Sequence, residues 1–143
     1  MRVRDEIAAA VSQLGVRAVE LAAAETSDLE AQIECAFARP GLDPLWERLL
    51  DKESIHDPDG WKRIAEFVRG PAVLFVRDSQ GSCAFRFDVP NEIVDALGAS
   101  YGFVFYIVDL EYRYLLCFND HDVLIGCGAA RSWVRSLRGA SLG

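Results

Sequence analysis

The chain has 143 residues, of which 51% are hydrophobic and 26% are charged, with a formal net charge of −7. This length is typical of a single domain, here residues 1–143, and allows a core that needs no disulfide or metal. No stretch approaches the roughly 18 uncharged apolar residues of a membrane span, and Asp5 and Glu6 interrupt any signal-peptide pattern. We therefore expect a cytoplasmic protein that makes no membrane contact.

Acidic side chains are concentrated in the first part of the chain. Residues 1–60 hold 13 acidic and 6 basic side chains, a net of −7, whereas residues 61–143 hold 9 of each. An acidic surface repels nucleic-acid phosphates and attracts basic proteins, so we expect a protein partner and no nucleic acid. A solvated surface that keeps the protein soluble explains the same charge. The predicted partner contacts are Glu25, Asp28, Glu30, Glu34, Glu47, Asp51 and Glu53.

The N-terminal segment is predicted to be helical. Apolar side chains recur every three or four positions, at Val3, Ile7, Val11 and Leu14. Gly15 marks the end of this helix. Residues 16–24 fit either a helix or a short edge strand, and their composition favours the helix. Ser27 and Glu30 have the spacing of a capping box, which predicts a second helix beginning there.

The region from residue 42 to residue 71 is less regular. Asp43-Pro44 indicates the start of a short helix that carries Leu45 and Trp46. A second short helix is predicted from Trp61 to Arg69. Between them, residues 54–60 are rich in turn-forming residue types and are predicted to be a surface loop.

The second half of the chain reads as strands separated by helices. A hairpin is predicted at residues 73–87, a connecting helix follows at Pro90, and a three-stranded meander spans 101–127 from Tyr101. A last helix begins at Ala129. The predicted fold is α+β, with a mostly antiparallel sheet of about five strands packed by these helices and the N-terminal ones. Both faces of the meander are apolar, so its second face needs a cover: the acidic N-terminal segment, a second subunit or a partner.

The loop Asn119-Asp120-His121-Asp122 is the clearest candidate for chemistry. A histidine beside two carboxylates can be held in one tautomer and made more basic, as a general base requires. A polar hairpin loop whose side chains cap backbone N–H groups explains the same residues. Because no clear nucleophile or oxyanion hole accompanies the loop, an enzyme is less favoured than an interaction protein, and no catalytic residue is assigned.

The cysteines indicate neither a disulfide framework nor a metal site. Cys35, Cys83, Cys117 and Cys127 lie far apart in apolar segments, which predicts reduced, buried thiols. Cys117, His121 and Cys127 could supply three zinc ligands, but the paired CxxC spacing of such sites is missing. Gly126-Cys127-Gly128 lacks the rest of a nucleotide-binding fingerprint. We expect no metal and no cofactor.

Three features together resemble a family of small bacterial proteins whose activity is uncharacterised. They are a helix ending in Leu14-Gly15, the pair Leu45-Trp46, and a closing strand–Asn-x-His-Asp–strand hairpin that ends at Gly128. A bacterial source also agrees with the 13 arginines against 2 lysines. In size and acidity the chain is similar to immunity proteins of bacterial toxin systems, which implies neutralisation of a toxin by direct binding.

Three functional hypotheses follow from the sequence. The first is an acidic interaction protein of the immunity type. The second is a small hydrolase or ligand-binding domain that uses the Asn119–Asp122 loop. The third is a homodimeric scaffold that buries the second apolar face of the sheet.

Overall fold

The computed structural model describes residues 2–100 and 102–141, which contain five α-helices, two 3₁₀ helices and seven strands. The α-helices are α1 Val3–Leu14, α2 Ala23–Phe37, α3 Ile64–Phe67, α4 Pro90–Gly98 and α5 Arg131–Ser141. The strands are β1 Ala18–Glu20, β2 Lys52–His56, β3 Ala72–Asp78, β4 Gly81–Phe87, β5 Phe105–Asp109, β6 Tyr114–Phe118 and β7 Val123–Gly128. The 3₁₀ helices are Leu45–Arg48 and Gly60–Arg63. None of the described helices combines the length and apolar character that a bilayer span requires.

The seven described strands form one sheet in the order β1-β4-β3-β5-β6-β7-β2, and every neighbouring pair is antiparallel. The predicted hairpin forms β3 and β4, and the predicted meander forms β5, β6 and β7. The predicted α+β class with a mostly antiparallel sheet is therefore confirmed. The alternating apolar residues that indicated these strands are buried because both faces of the sheet are covered.

The two faces of the sheet carry two separate cores. One face packs against α1, α3, α4 and α5, which contribute Ile7, Ile64, Ile93 and Val134 to the contacts. The other face packs against α2 and the segment after it, through Leu29, Ile33, Phe37, Leu45 and Leu49. The acidic N-terminal segment is thus the cover of the second face. The apolar face that suggested a homodimer is already buried within one chain.

The sheet has two edge strands more than the expected five. β1 pairs with β4 and β2 pairs with β7, so each lies at one edge of the sheet. Residues 54–60 were predicted to be a surface loop, but Ser54 and His56 belong to β2, and the loop begins at Asp57. The hydrophobic pattern of the sequence does not predict β1 and β2. Each is an edge strand, which is held to the sheet by backbone hydrogen bonds on one side only.

Residues 16–24 were predicted to favour a helix. This prediction was wrong for Ala18–Glu20, which form the strand β1. The backbone N–H of Leu21 donates to Ala84 O at 2.9 Å, which continues the pairing of β1 with β4. Helix α2 begins at Ala23, four residues before the predicted capping residue Ser27. Its first turn is capped by Glu25, whose carboxylate accepts the backbone N–H of Ala22 at 2.9 Å.

The predicted strand at the start of the meander is shorter than expected. β5 begins at Phe105, and Gly102–Val104 precede it without strand pairing. Tyr101, the predicted first residue of that strand, lies outside the described residues. The shorter strand leaves Phe103 beside the loop that closes β6 and β7, where it contributes to the cleft discussed below.

Gly126 allows helix α5 to pack closely against β7. A Cβ atom at this position would lie 2.6 Å from Val134 Cγ2 and 2.9 Å from the carbonyl oxygen of Ala130. Because β7 pairs with strands on both sides, it cannot move away without disturbing β6 and β2. The Gly-Cys-Gly sequence is therefore part of a strand, where the glycine provides room for the helix.

Candidate functional site

The Asn119–Asp122 loop joins β6 to β7 as a tight, hydrogen-bonded turn. The side-chain oxygen of Asn119 accepts the backbone N–H groups of His121 at 2.9 Å and Val123 at 3.1 Å. Asp122 has a φ of 59°, a left-handed conformation that Asp and Asn tolerate better than most residues. The hairpin geometry thus accounts for Asn119 and for the residue type at position 122.

His121 stands at the surface of this turn. Its side chain is 68% exposed, and its Nε2 atom lies 3.8 Å from Asp120 Oδ1. The ring packs edge-on against Trp46, with 5.7 Å between ring centroids. A separation of 3.8 Å exceeds hydrogen-bond reach, so neither carboxylate orients the imidazole as a general base requires.

Behind the turn lies a cleft of about 390 Å³, which we call the aromatic cleft. Its walls include the rings of Trp61, Phe103, Phe105 and Phe118, and its polar lining comes from Ser100, Asn119, Asp120 and Asp122. Sequence reasoning identified the loop but missed the cleft, because Trp61 and Phe103 come from segments far away in the chain. A volume of this size is sufficient for a small organic molecule.

One polar group of the Asn119 side chain has no hydrogen-bond partner in the described part of the chain. Asn119 is 4% exposed, and its side-chain oxygen is the acceptor in both hydrogen bonds that hold the turn. Its amide nitrogen donates to no other residue of the described chain. No fully buried side-chain nitrogen or oxygen in that part of the chain lacks a partner. The nitrogen therefore keeps some exposed surface, and Asn119 is one of the residues that line the cleft.

The cysteines and histidines do not converge on a metal centre. Among the described residues, no group of three or more His, Cys, Asp or Glu side chains could hold a metal ion. Burial raises the pKa of the Cys127 thiol to about 12 and that of Cys117 well above its usual value. Cys35 is exposed, which corrects the expectation that all four thiols are buried. His56 is an exposed residue of β2.

Three of the seven predicted partner contacts form ion pairs within the chain. Glu30 binds Arg77 at 2.9 Å, Glu34 binds Arg48 at 2.6 Å, and Glu53 binds Arg135 at 2.9 Å. Each pair joins segments that are distant in the sequence. These carboxylates therefore stabilise the arrangement of α2, the 3₁₀ segment and α5 on the sheet.

The other four predicted contacts are exposed. Glu25 and Asp28 lie in the first half of α2, whereas Glu47 and Asp51 lie at and after the first 3₁₀ helix. None of the four forms an ion pair with any residue between 2 and 100 or between 102 and 139. Their charges are available for contact with another molecule.

Glu25 and Asp28 border an open groove of about 570 Å³, which we call the acidic groove. It runs between α2, the edge strand β1 and the turn after β5. Two exposed apolar side chains line it, Val19 at 67% and Leu110 at 45% exposure. Asp109 also lines it, but its carboxylate accepts the backbone N–H of Arg113 at 2.7 Å and holds the turn.

Comparison of the chain with protein-family models, curated protein sequences and solved structures finds no match. The resemblance to a small bacterial family and the likeness to immunity proteins gain no support from these comparisons. The fold class is therefore the level at which the chain is identified: an antiparallel seven-stranded sheet with helices on both faces. The acidic groove and the aromatic cleft are the two candidate functional sites.

Proposed function

We propose that this chain is an acidic interaction protein that binds a basic protein through the acidic groove. The observation that carries the proposal is the combination of unpaired carboxylates and exposed apolar side chains in one groove. Glu25 and Asp28 provide the charge, and Val19 and Leu110 provide the apolar surface. Apolar contacts inside a charged rim are the usual composition of a protein interface.

The charge balance of the groove favours a cationic partner. Four acidic side chains line it, but Glu20 is paired with Arg4 at 2.6 Å and Asp109 with Arg113 at 2.8 Å, so the unpaired charges are those of Glu25 and Asp28. The one basic side chain in the lining is Arg86. Arg86 is itself paired with Asp88 at 3.3 Å, which reduces its effect on an incoming cation. Electrostatic attraction of this kind accelerates association and selects against acidic partners.

The most concrete form of the proposal is an immunity protein of a bacterial toxin system, acting in the cytoplasm. It rests on the small size of the chain, its net charge of −7 and the exposed carboxylates of the N-terminal part. Glu47 and Asp51 would extend the contact surface beyond the groove. Glu30, Glu34 and Glu53 would contribute less to binding because arginines of the same chain already neutralise them.

Affinity capture from the source cell tests this role. The wild-type chain and the double variant Glu25→Gln/Asp28→Asn are used as bait side by side. The glutamine keeps the capping acceptor for Ala22 N–H, so helix α2 should be retained. We expect a basic protein to be captured by wild type and lost with the variant. Equal capture by both would contradict binding through the groove.

A second candidate function is ligand binding at the Asn119–Asp122 loop, favoured by the aromatic cleft behind it. Hydrolysis at the same loop would need His121 as base, yet this side chain is 68% exposed and no carboxylate orients it. We therefore favour ligand binding over hydrolysis. The substitution His121→Ala should leave ligand affinity within about twofold, and its fold can be checked by circular dichroism.

A further inference from the structure

The aromatic cleft combines aromatic walls with two carboxylates, Asp120 and Asp122, in its lining. Phe105 and Phe118 are stacked with centroids 6.0 Å apart, and Phe103 meets Phe105 edge-on at 6.2 Å. The face of an aromatic ring carries partial negative charge and attracts cations. Trp61 illustrates this attraction, since the ammonium of Lys62 lies 5.5 Å from its ring centroid.

The charged groups in the lining of the cleft give it a negative balance. Asp120 and Asp122 line it from the turn between β6 and β7. Asp57, in the loop after β2, contacts this turn through its backbone, whose N–H donates to the carbonyl oxygen of Asp122 at 2.9 Å. Asp59, in the same loop, is paired with Lys62 at 3.1 Å. Asp120 and Asp122 thus supply two carboxylates to the lining, and no Lys or Arg is among the described residues that line the cleft.

The cleft lining also discriminates between kinds of cation. Aromatic walls cannot replace the hydration shell of an inorganic ion, whereas an alkylated ammonium ion is weakly hydrated and fits apolar surface. The free amide nitrogen of Asn119 is a donor and requires an oxygen acceptor on the ligand. A phosphate next to the cation would be repelled by Asp120 and Asp122. This repulsion favours a free ion over the headgroup of a phospholipid.

We propose that the aromatic cleft binds a small, free alkylated ammonium ion that carries a hydroxyl or carbonyl oxygen. The cation lies against Trp61, Phe105 and Phe118, and the carboxylates of Asp120 and Asp122 attract its positive charge. The oxygen of the ligand accepts a hydrogen bond from Asn119. The inference deepens the ligand-binding candidate and is independent of the acidic groove.

Three probes of similar size test the ligand class by calorimetric titration. Choline has the cation and the hydroxyl, 3,3-dimethylbutan-1-ol has the hydroxyl without the charge, and tetramethylammonium has the charge without the hydroxyl. We expect choline to bind at least tenfold more tightly than the neutral alcohol and severalfold more tightly than tetramethylammonium. Equal binding of choline and the alcohol would support ligand binding in the cleft but contradict its preference for a cation. If none of the three probes binds at 10 mM, both ligand binding and the cation preference would be contradicted.

Variants assign the binding to named residues. The double variant Asp120→Asn/Asp122→Asn should lower the affinity for choline at least tenfold. Its fold should be retained, because asparagine tolerates the left-handed φ at position 122. Asp95→Asn/Glu66→Gln removes the same charge from α4 and α3, outside the cleft lining, and should change affinity less than twofold. Equal weakening by the two double variants would overturn the site.

The role of Asn119 is tested by a ratio of affinities. Asn119→Asp keeps an oxygen acceptor for the two backbone N–H groups of the turn but removes the amide donor. The added charge acts on choline and tetramethylammonium alike. The preference for choline over tetramethylammonium should therefore disappear, and a preserved preference would contradict the hydrogen bond.

A vesicle experiment separates a free ion from a lipid headgroup. Sedimentation with phosphatidylcholine vesicles should leave the protein in the supernatant. If the protein pellets with the vesicles and added choline releases it, the assignment of the ligand as a free ion would be contradicted.

Discussion

Arg48 donates to the carboxylate of Glu34 at 2.6 Å and, through its other nitrogens, to the carbonyl oxygens of Arg39 and Leu42 at 2.7 and 2.9 Å. Arg48 is 7% exposed, so the guanidinium is held inside the protein by these acceptors. These hydrogen bonds hold the segment after α2 against the sheet face that α2 covers. Glu34, one of the acidic residues predicted to contact a partner, thus forms part of the interactions that hold the fold.

We predict that Arg48→Met lowers the free energy of unfolding by about 2–3 kcal/mol, because it removes charge-assisted hydrogen bonds from a buried site. Arg39→Met is the control, since Arg39 is exposed and pairs with no carboxylate in the described ranges; it should change stability by no more than about 0.5 kcal/mol. Urea denaturation measures both. Similar losses in the two variants would contradict a structural role for the buried guanidinium.

Gly126→Ala should destabilise the protein by about 1–3 kcal/mol, because the added methyl group meets Val134 and the backbone of Ala130. Gly70→Ala provides the comparison. A Cβ atom at Gly70 has no neighbour within 4 Å, so this change should be close to neutral. The difference in thermal midpoint between the two variants measures the effect. A neutral Gly126→Ala would show that α5 does not depend on this close approach.

The four thiols should differ in reactivity. Cys35 is exposed, whereas Cys83, Cys117 and Cys127 are buried. We expect alkylation at pH 8 to modify one thiol rapidly in the folded protein and all four in urea. Mass spectrometry after brief treatment with iodoacetamide counts the modified sites. Rapid modification of more than one thiol in the folded protein, or sparing of Cys35, would contradict the described burial.

Stability should fall at alkaline pH for a related reason. Burial raises the pKa of Cys83 to about 11 and that of Cys127 to about 12, from an ordinary value of 9.0. The unfolded chain therefore releases these protons first, so their stabilising effect is complete below pH 9 and is lost as pH rises through 11 to 12. Burial also raises the pKa of Tyr106 and Tyr114. Urea midpoints that stay constant between pH 8.5 and 11 would contradict this linkage.

The parts of the fold predicted from the sequence are those whose side chains alternate in and out of a core. The β3–β4 hairpin and the meander carry this pattern, whereas the edge strands β1 and β2 depend on backbone pairing that leaves little trace in residue type. The loop Asn119–Asp122 was recognisable because turns favour those residues. The aromatic cleft was not, since Trp61 reaches it from a distant segment.

The ion pairs of the acidic residues were equally beyond sequence reasoning. Glu30 binds Arg77, which follows it by 47 positions, and the same carboxylate accepts the hydroxyl of Ser82 at 2.6 Å. Only the packing of α2 across β3 and β4 brings these groups together. A count of charges indicates that a surface is acidic, but the tertiary structure determines which carboxylates remain unpaired.

The most direct test of the proposed interaction is the dissociation constant of the captured partner for two variants of equal net charge. Glu25→Gln/Asp28→Asn alters the acidic groove, and Asp95→Asn/Glu66→Gln removes two charges from helices on the opposite face of the sheet. We predict at least tenfold weaker binding for the groove variant and less than twofold change for the other. Equal weakening of both would mean that net charge alone attracts the partner, and the groove would not be its binding site.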